Sequence, residues 1–196
     1  MDGAKVTRPI HSGMYEVEQK APADLDPLRT RLEDIGATYE RTIEQRDTYF
    51  QHPTRNFAET DEALRIREIE IVDGEGSPGT ELTYKGPRLE DEAKTRREFE
   101  TAVDDGDTMR VILESLGFEP VATVTKHRER WRFDDATICL DAVDDLGSFV
   151  EVETASGREE IADAADRAST LMRELGIDAD ATTTDSYLGM LLEARS

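Results

Sequence analysis

Cysteine is almost absent from this chain, and the single Cys139 excludes both an internal disulfide framework and a zinc site built from several thiolates. No apolar run approaches the ~18 residues of a membrane-spanning helix. The opening MDGAKVTRPIHSG has no apolar core of the signal-peptide kind. No P-loop occurs, and the one GxGxxG match, GEGSPG at residues 74–79, falls in a turn-rich stretch between two strand-like runs and opens no helix, so phosphate groups would have to be held by side chains and not by a glycine-rich loop. Basic residues are outnumbered: 24 Lys+Arg face 45 Asp+Glu over 196 residues, a formal net charge of −21. That mean field repels nucleic acid and anionic lipid, so neither is expected as a partner. A cytoplasmic location is expected, with the acidic excess forming a solvated surface; adaptation to a salty cytoplasm is one explanation of it.

Periodic segments are nevertheless plentiful. Residues 1–13 read as a flexible leader and residues 14–196 as a single α+β domain. The segment MYEVEQK (14–20) has strand character. In DLDPLRTRLEDIGA, Leu25, Leu28, Leu32 and Ile35 recur at helical spacing, Asp24 or Asp26 serves as cap, and Gly36 stops the helix. Strand-like runs follow at QRDTYFQ, ALRIREIEI, TELTYKG and TRREFETAV. A second helix fits Asp107–Leu116. Three further strands are PVATVTKHRERWRF, ATICLDAV and GSFVEVET, and the chain from about Arg158 onward reads as two helices.

The strands alternate apolar and polar residues, but their polar positions are charged with unusual regularity. Successive strand side chains point to opposite faces. Glu16, Glu18 and Lys20 therefore share a face, as do Arg65 with Arg67, Arg96 with Glu98 and Glu100, Lys126 with Arg128 and Arg130, and Glu151 with Glu153. Acidic ladders fall near the two ends of the strand series and basic ladders between them. Five such ladders point to one shared concave face in a closed or nearly closed antiparallel barrel. The lumen would be charged and the apolar outer faces covered by helices.

Residue type then indicates the ligand. Carboxylate pairs such as Glu16/Glu18 and Glu151/Glu153 are hard oxygen donors suited to Mg²⁺ or Mn²⁺. Lys20, Arg65, Arg67, Lys85, Lys126 and Arg128 exceed what one phosphate needs and suit a triphosphate, with Arg binding as a fork and Lys as a point charge.

The order of these motifs resembles the CYTH superfamily of triphosphate tunnel metalloenzymes, which groups class IV adenylyl cyclases with thiamine triphosphatases. EVEQK is similar to the ExExK signature of that superfamily. The run RDTYFQHPTRNFAETDEALRIR, LTYKGP, the RxExE at Arg96–Glu100, the KxR at Lys126–Arg128, LDAVDDLGSFVEVE and a late Tyr187 resemble the cyclase branch. The resemblance implies an eight-stranded antiparallel tunnel. Glu16, Glu18, Glu151 and Glu153 would bind metal there, with Glu98, Glu100 and Asp141 as supporting acids. Catalytic roles would fall to Glu16, Glu18, Lys20 and Asp141, and phosphate binding to the six basic residues. It implies conversion of ATP to cyclic AMP and pyrophosphate. Hydrolysis of thiamine or inorganic triphosphate is the alternative, and a non-catalytic nucleotide or polyphosphate binder is a third reading. A homodimer is an expected assembly of the family, although no apolar patch in the sequence marks its interface.

Other residues carry simpler expectations. Trp131 and His127 have outward parity, and Cys139 is a small strand residue in an apolar run. His52 is read as either substrate-side or loop-packing. Tyr187 either reaches the tunnel mouth or docks the last helix.

Overall fold

The computed structural model describes residues 14–87, 98–157, 160–183 and 185–195, without the side chains of residues 14–16. The expected leader (1–13) and Arg96 lie outside the described residues. Eight strands form one antiparallel sheet: β1 (Met14–Pro22), β2 (Thr38–Gln51), β3 (Ala63–Gly74), β4 (Gly79–Lys85), β5 (Glu98–Val103), β6 (Glu119–Phe133), β7 (Ala136–Val143) and β8 (Gly147–Gly157). Their spatial order is β1-β8-β7-β6-β2-β3-β4-β5. The helices are α1 (Leu25–Asp34), α2 (Phe57–Thr60), α3 (Gly106–Ser115), α4 (Ile161–Glu174) and α5 (Tyr187–Ala194). The sheet curls into a half-barrel. Among the described residues the edge strands β1 and β5 do not pair with each other, so the expected eight-stranded antiparallel barrel with helices outside takes the form of a curled trough.

The outer face is held by ordinary burial. Alternate residues Trp131, Ile138, Leu140, Val150 and Val152 face Leu28 and Leu32 of α1 and Leu171 and Met172 of α4. Ile138, Val150 and Val152 are fully buried, each contributing roughly 1.5–3 kcal/mol relative to exposure. A second outer cluster seats α2 and α3 through Phe50, Phe57, Leu64, Ile66 and Leu113. The helices start where short polar side chains satisfy free backbone donors: Asp24 accepts from Asp26 N–H, Asp105 from Thr108 N–H and Ser186 from Gly189 N–H.

A third cluster lies on the inner face. Tyr49, Val124, Val143 and Phe149 share that face by register, and Tyr187 and Leu191 of α5 pack onto them. The last helix therefore caps one end of the trough. Near the opposite end, Gly74 has φ +88°, and a Cβ there would meet Glu40 O at 2.7 Å, so only glycine lets β3 close on β2 beside Arg41.

Candidate active site

The concave face encloses a cavity of about 1040 Å³. Pairing register shows how the ladders meet in it. Glu18 stands directly opposite Glu153, and Lys20 opposite Glu151. Arg128 stands opposite Asp141, Asp47 opposite Arg67, Thr83 opposite Glu100, and Lys85 opposite Glu98. Lys20, Arg65, Arg67, Lys85, Lys126, Arg128, Glu18, Glu98, Glu100, Glu151 and Glu153 all line the cavity, so eleven of the thirteen residues expected there are together. Glu16 is placed on β1 opposite Ala155, but its side chain lies outside the described ones. Asp141 is buried in the wall behind Arg128 and does not line the cavity.

The sheet order sorts these charges in space as well as in sequence. Carboxylates concentrate on the edge strands β1 and β5 and on β8 beside β1. The basic pairs of β3 and β6 flank β2 at the centre of the sheet.

Each buried cation has a reason to be where it is. Arg67 donates Nε–H to Asp47 Oδ1 at 2.6 Å and Nη2–H to Oδ2 at 2.7 Å, and Arg65 donates to the same carboxylate at 3.3 Å. Burial opposes ionisation of Asp47, yet the two guanidinia outweigh it and hold the carboxyl well below the usual range. Arg128 forks onto Asp141 at 2.7 and 2.6 Å, donates to Glu153 at 3.2 Å and also to Glu151. Lys20 bridges Glu18 at 2.9 Å and Glu151 at 2.8 Å. Burial alone would lower the Lys20 pKa, but those two carboxylates raise it. Lys85 pairs with Glu98 at 2.9 Å.

Lys126 differs. Its closest carboxylate, Asp141, is 3.8 Å away, and it lies 5.1 Å from the Tyr187 ring centre. Burial first and the Arg128 charge second pull its pKa down to about 8.

Tyr187 resolves the alternative in the sequence by doing both things. It docks α5 and reaches the cavity, donating its hydroxyl to Asp141 at 2.8 Å, with the Lys20 ammonium 4.2 Å from its ring centre. His52 is a loop-packing residue. Its Nδ1 accepts from the Thr54 and Arg55 backbone N–H groups, and its ring meets Phe118. His127 is exposed on the outer face, as its parity predicts. Cys139 faces inward beneath the Arg128 cluster, fully buried, with Sγ 3.9 Å from Glu153.

Sequence reading missed the contribution of β2. Arg41, Ile43, Gln45 and Tyr49 line the cavity, and Asp47 organises the Arg pair of β3. The available signal was parity: residues 41, 43, 45, 47 and 49 share a face. Their mixed chemistry makes no charged ladder.

A model of the CYTH domain matches residues 14–187. This chain is a member of the CYTH domain family. A Methanocaldococcus jannaschii protein, whose name describes it as a candidate adenylate cyclase, is 35% identical over 177 residues, covering 89% of this chain and 97% of that relative. Among solved structures, a Pyrococcus horikoshii protein is 38% identical with TM-score 0.83, covering 91% of this chain and 99% of the other. A candidate adenylate cyclase from Vibrio parahaemolyticus is 21% identical with TM-score 0.79, covering 92% of this chain and 99% of the other, a likeness of fold. CYTH domains bind triphosphates, and the cationic centre of this trough has the chemistry for one.

The donor set also suits a hard divalent ion. Glu18, Glu151 and Glu153 offer carboxylate oxygens from adjacent strands at matched register. Among the described residues no three acids already stand close enough to hold a metal. Lys20 and Arg128 lie between those carboxylates and neutralise them.

Proposed function

We propose that this CYTH protein is a divalent-metal-dependent cyclase that converts ATP to cyclic AMP and pyrophosphate. The observation that carries this reading is the concentration of Arg65, Arg67, Lys126 and Arg128 at the centre of one cavity, flanked on both sides by carboxylates. Arg65, Arg67 and Arg128 would fork onto phosphate oxygens, while Lys20, Lys85 and Lys126 add point charges. Mg²⁺ or Mn²⁺ held by Glu16, Glu18, Glu151 and Glu153, with Glu98 and Glu100 as supporting acids, would supply charge neutralisation at phosphate oxygens. In the reaction the ribose 3′-oxygen loses its proton and bonds to the α-phosphorus. The bond from that phosphorus to the bridging oxygen breaks, and pyrophosphate leaves. Such chemistry needs positioning and fixed charge above all. Asp47 and Asp141 supply the positioning by locking the guanidinia in place. In this role Asp141 acts through Arg128.

The test is incubation of purified protein with ATP and Mg²⁺ or Mn²⁺, with products resolved by chromatography. Cyclic AMP with pyrophosphate is the expected result. Phosphate without cyclic product would make it a triphosphatase, and binding without product would make it a nucleotide-binding module. Glu18→Gln should abolish metal-dependent turnover while the protein still melts cooperatively; retained turnover would remove Glu18 from the metal set.

A further inference from the structure

The cavity is larger than its charged centre. Pockets of about 300–1,000 Å³ bury whole drug-sized ligands, and about 1040 Å³ leaves ample space beyond three phosphates. At the end remote from α5, the inner face of β2 runs from Asp47 through Gln45 and Ile43 to Arg41, in steps of about 6.6 Å for each pair of residues. Gln45 lies opposite Ile69, and Ile43 opposite Ile71, so β2 and β3 build an apolar shelf of three isoleucines. On the other side, β6 faces the shelf with Lys126, Arg128 and Arg130, one cation in each row.

Three polar atoms of the shelf lack a hydrogen bond. Gln45 is only 3% exposed, and its Oε1 is buried without a hydrogen bond. The Nε groups of Arg41 and Arg130, which stand opposite each other, are likewise buried without a hydrogen-bond partner. The opposite end is better satisfied, although Arg65 Nε there is also buried without a hydrogen bond. There Glu62 accepts from Thr60 at 2.7 Å and from Arg55 at 3.0 Å, and Gln51 donates to Arg55 O at 2.6 Å. Leaving a buried polar group unmet costs about 1–3 kcal/mol, so three of them around an apolar surface describe half of a recognition site.

Resting on the triphosphate reading of the cavity, we infer that this shelf is the seat of a neutral nucleobase and that Gln45 reads its hydrogen-bonding edge. A flat heteroaromatic ring covers Ile43, Ile69 and Ile71 on one face and presents the other to guanidinium planes, which stack on bases. The Gln amide offers one acceptor and two donors, the complement of a purine edge. A cationic ring such as the thiazolium of thiamine is disfavoured, because β6 lines the shelf with positive charge. Three acids border the region, and of these Glu40 has Oε2 3.8 Å from Arg130 Nε. Glu81 sits back in the row of Arg67, and Glu75 lies in the exposed β3–β4 turn.

Calorimetric titration with ATP, inorganic tripolyphosphate and thiamine triphosphate, each with Ca²⁺ in place of Mg²⁺ to slow turnover, tests this inference. Wild type should bind ATP most tightly of the three. Gln45→Met should weaken ATP by about tenfold, the value of one or two lost hydrogen bonds, and leave tripolyphosphate unchanged. Equal effects on both ligands, or none on either, would overturn the inference. So would a wild type that prefers thiamine triphosphate, a comparison that needs no variant to fold. Failure of tripolyphosphate to bind wild type would remove the triphosphate reading itself, and this inference with it.

Discussion

Two arginine clusters face each other across the trough, and they are built on opposite ratios. On β2 and β3, one carboxylate, Asp47, serves two guanidinia, Arg67 at 2.6 Å and Arg65 at 3.3 Å. On β6 to β8, three carboxylates (Asp141, Glu151 and Glu153) surround one guanidinium, Arg128. The first cluster has positive charge to spare and the second negative. A ligand carrying both a phosphate chain and a divalent ion would complete each with what it lacks. Until then the lumen neutralises itself, which explains how so many ionised groups remain buried in one protein wall.

The sharpest way to break this comparison is to remove the scarce partner on each side. Asp47→Ala leaves two buried guanidinia without their shared carboxylate. A loss of about 3–5 kcal/mol is expected, measured by urea unfolding, together with loss of triphosphate binding. A cost no greater than that of a surface substitution would show that the pair needs no clamp. Arg128→Met does the reverse and removes the one guanidinium shared by three carboxylates, leaving Lys20 beside Glu151 and Lys126 beside Asp141. The metal-free protein should melt well below wild type, and Mg²⁺ or Mn²⁺ at about a hundred times its Kd should return about 2.7 kcal/mol. An Arg128→Met variant indifferent to divalent ions would show that those acids form no metal site.

Smaller effects sharpen the picture. Lys126 sits between the clusters with its pKa near 8. A bound phosphate raises that value, so above pH 8 the complex holds more protons than the free protein, and affinity must fall as pH climbs. Tripolyphosphate titrations across that range should show the decline, and Lys126→Arg should flatten it. The smallest effect concerns the outer surface. The whole chain carries a net charge of −21, which repels a polyanion, so moderate salt should first improve tripolyphosphate binding and higher salt weaken it. A steady fall from low salt upward would mean that the distant acids do not matter.

Much of this organisation was legible in the chain before any coordinates. The charged ladders of EVEQK, LRIR, KHRER and FVEVE exposed inward parity directly, because alternation is a local property. Trp131 was placed under a helix by the same rule. The Asp47 clamp was not legible, since its meaning depends on β2 lying between β6 and β3, a pairing of segments distant in sequence. The first half of β2, TYERTIE, carries polar residues at both parities and has no strand-like alternation. The four-residue α2 is too short for periodicity to reveal. The degree of closure was left open as closed or nearly closed, because alternation says which face is inward and not whether the last strand meets the first.

The lone thiol gives this wall a built-in clock. Cys139 lies on the inner face beneath Arg128, fully buried, with burial pushing its pKa well up. Alkylation therefore has to wait for β7 to open. With one thiol per chain, the labelling rate reports a single event: how often the carboxylate-rich side of the trough breathes.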